Sequence, residues 1–510
     1  MKYGFLFGAG AEVSYGLPSG GKFALDIFRH DSSESKKEFK AMRDAVEVST
    51  RYACDWLPQE YRNKSISSFG KSVFQNIIKD TVEHNRINII KQINKFDKIA
   101  SKEVAKMKAD DNVDVDAVIE RLLQRPLENI RMGQSIAFIQ EFQEGNALFN
   151  NSYFAALLLI YKNKTLLNGE ERTELGKIIL SIIQLHVGAL SETLSRRIND
   201  GLFAQKDDEI DLFDDIGEII QLNYATSGVT GMEYLLEKKD ADITRDVGIV
   251  LRFAQCVIEA IYAVVLDYKS LIDANWHYLY SPGSDWAKFC KISIFLLTVR
   301  DYISGIAYHA KPLEKYGYYH MLKEANGKGL FEFSAIATTN YNRFIEDILN
   351  VNVAFLNGST ETWYDPYLNR MGKRDEIMTS ENHILVPLMF TQSGTKPMTS
   401  IEMSKRYVET YTQWKESDAI VVIGFGFGID DEHINGVLRT LVDVDDKKLI
   451  VVTLDEHKED NDVIKDIAKK LKVLKNRNIK VLQVSTEGIV RNTSDRWDTV
   501  LNSFVGDNEC

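Results

Sequence analysis

The chain has 510 residues, too many for one ordinary domain and enough for two or three. Its 44% hydrophobic and 27% charged residues are those of a globular protein, and only 8 prolines argue against long disordered linkers. A formal net charge of −12 gives no reason to expect a phosphate backbone as partner, so direct nucleic-acid binding is not expected. In chain order, residues 3–7 form a short apolar run suited to a buried parallel strand, broken by Gly8-Ala9-Gly10. The opening is too short for a signal peptide and runs straight into glycines and Glu12, so no targeting segment is expected and the location reads as cytoplasmic. After Gly20-Gly21, Phe23, Ala24, Ile27 and Phe28 recur at helical spacing.

Helical periodicity dominates residues 31–330. Ile178, Ile179, Ile182, Ile183 and His186 mark one face of a helix over 177–197. Further helices are expected at 116–123, with an acidic start, and at 247–268 and 292–306. The most apolar stretch, 249–266, is interrupted by Arg252 and Glu259 and reads as a core helix, with no membrane partner. The acidic run Asp207, Asp208, Glu209, Asp211, Asp214 and Asp215 could be a metal site, though such runs are more often a solvated face.

From Phe331 the pattern changes. Strands are expected at 333–338, 351–356, 418–423, 449–454 and 479–484, with helices at 341–349 and 434–441. Apolar strands alternating with helices mean a parallel sheet covered on both faces, which binds ligands at the carboxyl ends of its strands. The expected fold class is α/β, a Rossmann-like mostly parallel sheet with a large inserted helical region. Residues 1–30 and 331–510 would build the sheet domain, and 31–330 the insertion.

Four segments can carry chemistry. Gly8-Ala9-Gly10 through Ser14 to Gly16-Leu17-Pro18 comes directly after the first strand, where glycines let a backbone approach a pyrophosphate; Val13 breaks the full dinucleotide fingerprint, and a tight strand–helix turn fits the segment equally well. Thr338-Thr339-Asn340-Tyr341-Asn342 ends another strand, with amides that could bond a ribose or simply cap a helix. Asn357-Gly358-Ser359, with Trp363 shortly after, and the Gly424–Gly428 loop complete the set. The cysteines Cys54, Cys256, Cys290 and Cys510 are far apart, with no CxxC pair, so neither a zinc site nor a disulfide framework is expected.

The order of these pieces resembles the sirtuin family: Gly8-Ala9-Gly10 with Ser14, Gly16-Leu17-Pro18, Thr338-Thr339-Asn340-Tyr341-Asn342, Asn357-Gly358-Ser359, then Gly424-Phe425-Gly426. The likeness covers the first thirty residues and roughly 331–484, and not the helical insertion. It is greatest to the bacterial sirtuin-like proteins of antiphage defence, which often carry GLPS after the glycine loop and a tryptophan after the third motif, and which deplete NAD+ during infection. The chain departs from the family in three ways. The zinc cysteine pairs are absent, Ser19-Gly20-Gly21 replaces the Asp-Phe-Arg of deacetylases, and Asn357 and Asn342 stand for the family's histidine and aspartate.

The resemblance implies an NAD+ hydrolase that releases nicotinamide and ADP-ribose, with NAD+ as substrate and no zinc. Asn340, at a strand end expected to be exposed, would position the ribose and the attacking water. Gly8, Ala9, Gly10, Ser14 and Pro18, with the helix next in the chain, would hold the pyrophosphate. Thr339, Asn342, Gly358 and Ser359 would complete the nucleotide site, with Gly424 and Gly426 against the adenosine ribose. Asn357 cannot accept a proton near neutral pH, so His383 or His433 is expected to supply the missing base, with His320 a weaker candidate. Loss of a base is tolerable, since a dissociative departure of nicotinamide depends mainly on orientation and electrostatics. The resemblance also implies an effector of antiphage defence held inactive until triggered, assembled through 31–330 as a homo-oligomer or with a sensor or nucleotide-processing subunit. The alternative is a non-catalytic subunit that binds NAD+ or ADP-ribose as a regulatory ligand.

Overall fold

The strands that alternate with helices do assemble into one sheet. A computed structural model of the chain describes residues 1–18, 20–70, 75, 78, 82, 85–130, 147–190, 228–265, 276–310, 317–389, 400–428, 431–455 and 458–506. It divides into two units, one of Met1–Ser19, His30–Phe69 and Lys269–Cys510, the other of Gly20–Arg29 and Gly70–Tyr268.

Among the described residues the first unit holds nine strands: β1 Lys2–Phe7, β2 Glu332–Thr338, β3 Val353–Phe355, β4 Gly358–Asp365, β5 Arg370–Gly372, β6 Val386–Met389, β7 Ala419–Ile423, β8 Lys448–Leu454 and β9 Ile479–Val484. Six of them form an all-parallel sheet in the order β3-β2-β1-β7-β8-β9. This is a Rossmann-like α/β arrangement, and its strands lie within two residues of their expected positions. β1 and β7 are central and buried almost throughout, which is why they are continuous apolar runs. Tyr3, Phe5, Phe7, Tyr319, Ile423 and Trp497 belong to the core on one face. Pairing of Phe7 with both Thr338 and Ile423, and of Thr338 with Phe355, brings four strand ends level at one edge. The strand order reverses between β1 and β7, where open α/β sheets leave a crevice beyond their carboxyl ends.

A second, antiparallel sheet of order β5-β4-β6 was not anticipated. Its strands are short or nearly all buried, so the period-two alternation that marks a strand is missing. Residues 31–69 and 269–330, grouped with the insertion on sequence, lie in this first unit, and residues 20–29, grouped with the sheet domain, lie in the second. The helix Trp286–His309 packs against β4 and β6 of the small sheet and against the helix Ser33–Ala45.

The second unit is helical around Asp246–Val265, which Gly20–Arg29, Phe96–Asp110 and Gly169–Leu190 contact. Asp246–Val265 is long and apolar enough to cross a membrane, but over half of its most apolar window, 56%, is buried within the protein. Glu259, one of the charges interrupting it, is held by Arg29 at 3.0 Å and Lys238 at 3.4 Å. The helix expected over 177–197 is seen as Gly169–Leu190. The acidic run 207–215 and Cys510 lie outside the described residues.

Candidate functional site

The glycines of the first and fourth motifs are explained first by each other. Gly8 donates its N–H to Ile423 O at 2.9 Å, and Gly10 donates to Gly424 O at 2.9 Å. A Cβ on Gly8 would lie 2.6 Å from Gly424 O, and one on Gly424 would lie 2.1 Å from Ala11 N. Gly424 also has φ +67°, a conformation that favours glycine. The two loops interlock at the β1/β7 reversal. The N–H groups of Gly8 and Gly10 are thereby committed to carbonyls, so their contribution is close backbone approach rather than donors for a pyrophosphate. The chain then enters a seven-residue 3-10 helix, Ala9–Tyr15, before the helix Gly20–Arg29 that begins where the spacing predicts it. Ala9, Gly10 and Gly426 are exposed and Pro18 is half-buried; Ser14 Oγ is buried without a hydrogen-bond partner.

The second motif meets this turn. Thr339 donates its N–H to Phe7 O at 2.9 Å. Asn340 donates its side-chain N–H to Gly8 O at 3.3 Å and its backbone N–H to Thr338 Oγ1 at 3.0 Å. Asn340 is 7% exposed, which corrects the expectation of an exposed strand end: the turn folds its amide inward over Gly8. Asn342 accepts from Phe344 N at 2.9 Å and donates to Glu12 Oε2 at 2.7 Å. The helix expected from 341 starts only at Phe344 because this cap holds the preceding residues in a loop.

Glu12 was not singled out on sequence. It is 4% exposed, and its second oxygen accepts from Tyr319 OH at 2.8 Å. Burial pushes its carboxyl above the usual range, offset in part by donors on Asn342, Tyr319 and Asn340. The available signal was an acidic residue set inside a glycine and apolar run that had to be buried. Tyr319 gave no such signal, because it comes from a helix, Tyr318–Gly327, far away in sequence.

Asn357 lies just past β3, is 3% exposed, and has Oδ1 3.3 Å from His433 Nε2. His433 stands on the helix Glu432–Asp443, next in the chain after β7. The contact therefore joins segments on either side of β2 and β1 in the sheet. Gly358 and Ser359 serve the small sheet. A Cβ on Gly358 would lie 1.9 Å from Leu388 O, and Ser359 Oγ is 2.7 Å from Thr362 Oγ1.

His383 does not join the site. Its Nδ1 is 2.7 Å from Asp365 Oδ2, its Nε2 is 3.1 Å from Glu381 Oε2, and its ring stacks on Tyr52 with centroids 4.0 Å apart. Asp365 is the whole eight-residue length of β4 away from Gly358. His383 was attractive because it lies between two motif strands in sequence, but the antiparallel sheet carries it away. His320 sits beside Tyr15, its Nδ1 3.2 Å from the hydroxyl.

Beside the interlocked loops lies a cleft of about 370 Å³, within the range of small-molecule sites. Gly10, Gly424 and Gly426 form one wall, with Thr453 from β8, Gln483 from β9 and Lys470 on others. Among the described residues no group of three His, Cys, Asp or Glu could hold a metal ion. Cys54 is exposed, Cys256 half-buried and Cys290 buried, its thiol pushed up to about 12 by burial. No protein-family model and no curated protein matches the chain.

Proposed function

We propose that the chain is an NAD+ hydrolase releasing nicotinamide and ADP-ribose. The observation that carries this reading is that Asn340 follows β2 and the Asn357–His433 contact follows the neighbouring β3, both at the carboxyl edge of a parallel sheet with the glycine loops at its order reversal. The cleft beyond Gly424 and Gly426 takes the adenosine half, and Asn340 holds the nicotinamide ribose and the water. His433 supplies the base that Asn357 cannot, with the Asn357 amide orienting its ring. A neutral imidazole whose Nε2–H donates to that amide carries its lone pair on Nδ1; the tautomer is inferred from the contact. Departure of nicotinamide leaves positive charge on the ribose, so orientation and electrostatics carry most of the rate.

The biological role rests on the sirtuin-like motif order: depletion of NAD+ in antiphage defence, held off until triggered, with the helical region serving assembly or a sensor subunit. One observation favours the other reading, of a non-catalytic NAD+ or ADP-ribose subunit: Asn357 occupies a position where an amide cannot take a proton. Nicotinamide release by purified protein, with and without candidate partners, separates the two. Asn340→Ala is expected to abolish release. Unchanged release in that variant sinks the assignment of Asn340, and ADP-ribose binding without any release favours the non-catalytic reading.

A further inference from the structure

Asn357 has no element of its own to fix it, because it lies in the short link between β3 and β4. Leu356 ties that link to β2, donating its N–H to Thr338 O at 2.9 Å. The helix Ile401–Lys415 holds it from another side. Met403, Tyr407, Thr410 and Trp414 recur at helical spacing and are the buried face of this helix. Trp414 anchors the face on the sheet, donating its Nε1–H to Ala335 O at 3.1 Å. Midway along the helix, two consecutive side chains reach the link. Arg406 Nη1 donates to Phe355 O at 2.8 Å, and Tyr407 OH donates to Leu356 O at 2.8 Å. The carbonyls they hold are the two that precede Asn357. Tyr407 is buried, and its ring centroid lies 5.8 Å from that of His433, with the planes tilted by 60°. One side chain thus touches both halves of the Asn357–His433 contact. Burial pushes the Tyr407 hydroxyl above its usual range, and Asp431 adds to the shift, so the group stays a donor at neutral pH.

We infer that Tyr407 is a positioning residue for the Asn357–His433 pair: its hydroxyl fixes the backbone from which Asn357 projects, and its ring forms a wall against the His433 imidazole. The inference rests on the reading of His433 as the base for NAD+ cleavage. A base must be held within hydrogen-bond reach of the proton it takes. A single 3.3 Å contact to an amide is a weak hold on an imidazole, and it orients the ring only if the amide is itself fixed. Tyr407 supplies that fixing and narrows the swing of the ring. Positioning of this kind raises turnover without adding a contact to the nucleotide, and Tyr407 does not line the cleft beside Gly424 and Gly426. An ordinary core tyrosine would also bond a carbonyl. Such a residue contributes stability and leaves turnover per folded molecule unchanged, so the two roles separate by experiment.

The test follows nicotinamide release and urea unfolding of the full chain in Tyr407→Phe, in His433→Ala and in the double variant. Tyr407→Phe deletes one oxygen and keeps the ring. It is expected to lower kcat about tenfold, roughly what one hydrogen bond is worth, with KM within about twofold of the wild type. In the His433→Ala background the same change should cost less than about twofold, because no base remains to be positioned. Tyr407→Leu removes the ring as well; it should lower kcat further when His433 is present and again add little when it is absent. Trp414→Phe loosens the same helix at Ala335 O, and should lower stability while leaving kcat per folded molecule intact. Wild-type kcat in Tyr407→Phe, or a tenfold loss that persists without His433, overturns the inference while the NAD+ reading stands. Unchanged turnover in His433→Ala removes the base and the inference with it. No release by wild-type protein, alone or with candidate partners, overturns the NAD+ reading itself and everything resting on it.

Discussion

Two sheets in the first unit each bury an acidic side chain, and they treat it in opposite ways. In the small antiparallel sheet, Asp365 is fully buried, accepts the backbone N–H groups of Tyr367 and Leu368 at 2.9 and 3.2 Å, and meets His383 at 2.7 Å. At the edge of the parallel sheet, Glu12 is buried nearly as well and meets only uncharged donors. Burial lowers the affinity of His383 for its proton, but the carboxylates of Asp365 and Glu381 more than offset this and leave it raised. Glu12 has only its desolvation and a few hydrogen bonds. One buried carboxyl is paired with a titratable base, the other is held by neutral donors alone. The contrast separates two histidines and two acids that look alike in sequence.

The strongest way to break the comparison is Asp365→Ala. It leaves the ring of His383 without its nearer carboxylate and two backbone N–H groups without an acceptor. Breaking one side of a buried pair costs about 3–5 kcal/mol. Urea unfolding should show a loss of that order, with nucleotide affinity unchanged in the protein that remains folded. A loss below about 0.5 kcal/mol, the size of an ordinary surface change, would mean that the pair is not structural.

The parallel edge should respond in the other currency. His433→Ala should lower turnover of NAD+ by about 10²–10⁴-fold, the usual worth of an acid–base group, with little change in KM. His383→Gln should lower stability and leave turnover per folded molecule intact. An equal loss of turnover from both would place neither at the chemistry.

Much of the parallel sheet was legible because its strands are continuous apolar runs ending in glycine or amide turns, and each position was found to within two residues. The reversal at β1/β7 was not, since local pattern carries no strand order. The second sheet was hidden for a different reason: Gly358–Asp365 is buried at nearly every position, so alternation is lost, and Arg370–Gly372 is too short to register. At the site, Asn340 and Asn357 were found by motif order and His433 by its nearness to the Gly424 loop. Glu12 and Tyr319 were missed because their pairing spans 307 residues and exists only once the helix Tyr318–Gly327 lies over the first turn. His383 failed for the converse reason, being near in sequence and distant along β4.

The smallest expected effect is also the one that reads both acids in a single experiment. A folded-state value above the unfolded one means that the fold favours the protonated form, for an acid as for a base. For Glu12 the stabilising contribution is complete below the unfolded carboxyl value of about 4.3 and is lost as pH rises through its raised folded value. For His383 it is complete below about 6.5 and is lost as pH rises through a folded value higher than that. Both therefore subtract stability with rising pH, but the Glu12 window opens first. Glu12→Gln removes a group that must shed a proton into a dry site, so its melting temperature should gain on the wild type as pH climbs from about 4.3, by about 2 °C or more, and then hold level. His383→Gln should begin far below the wild type and close part of the gap only above about 6.5.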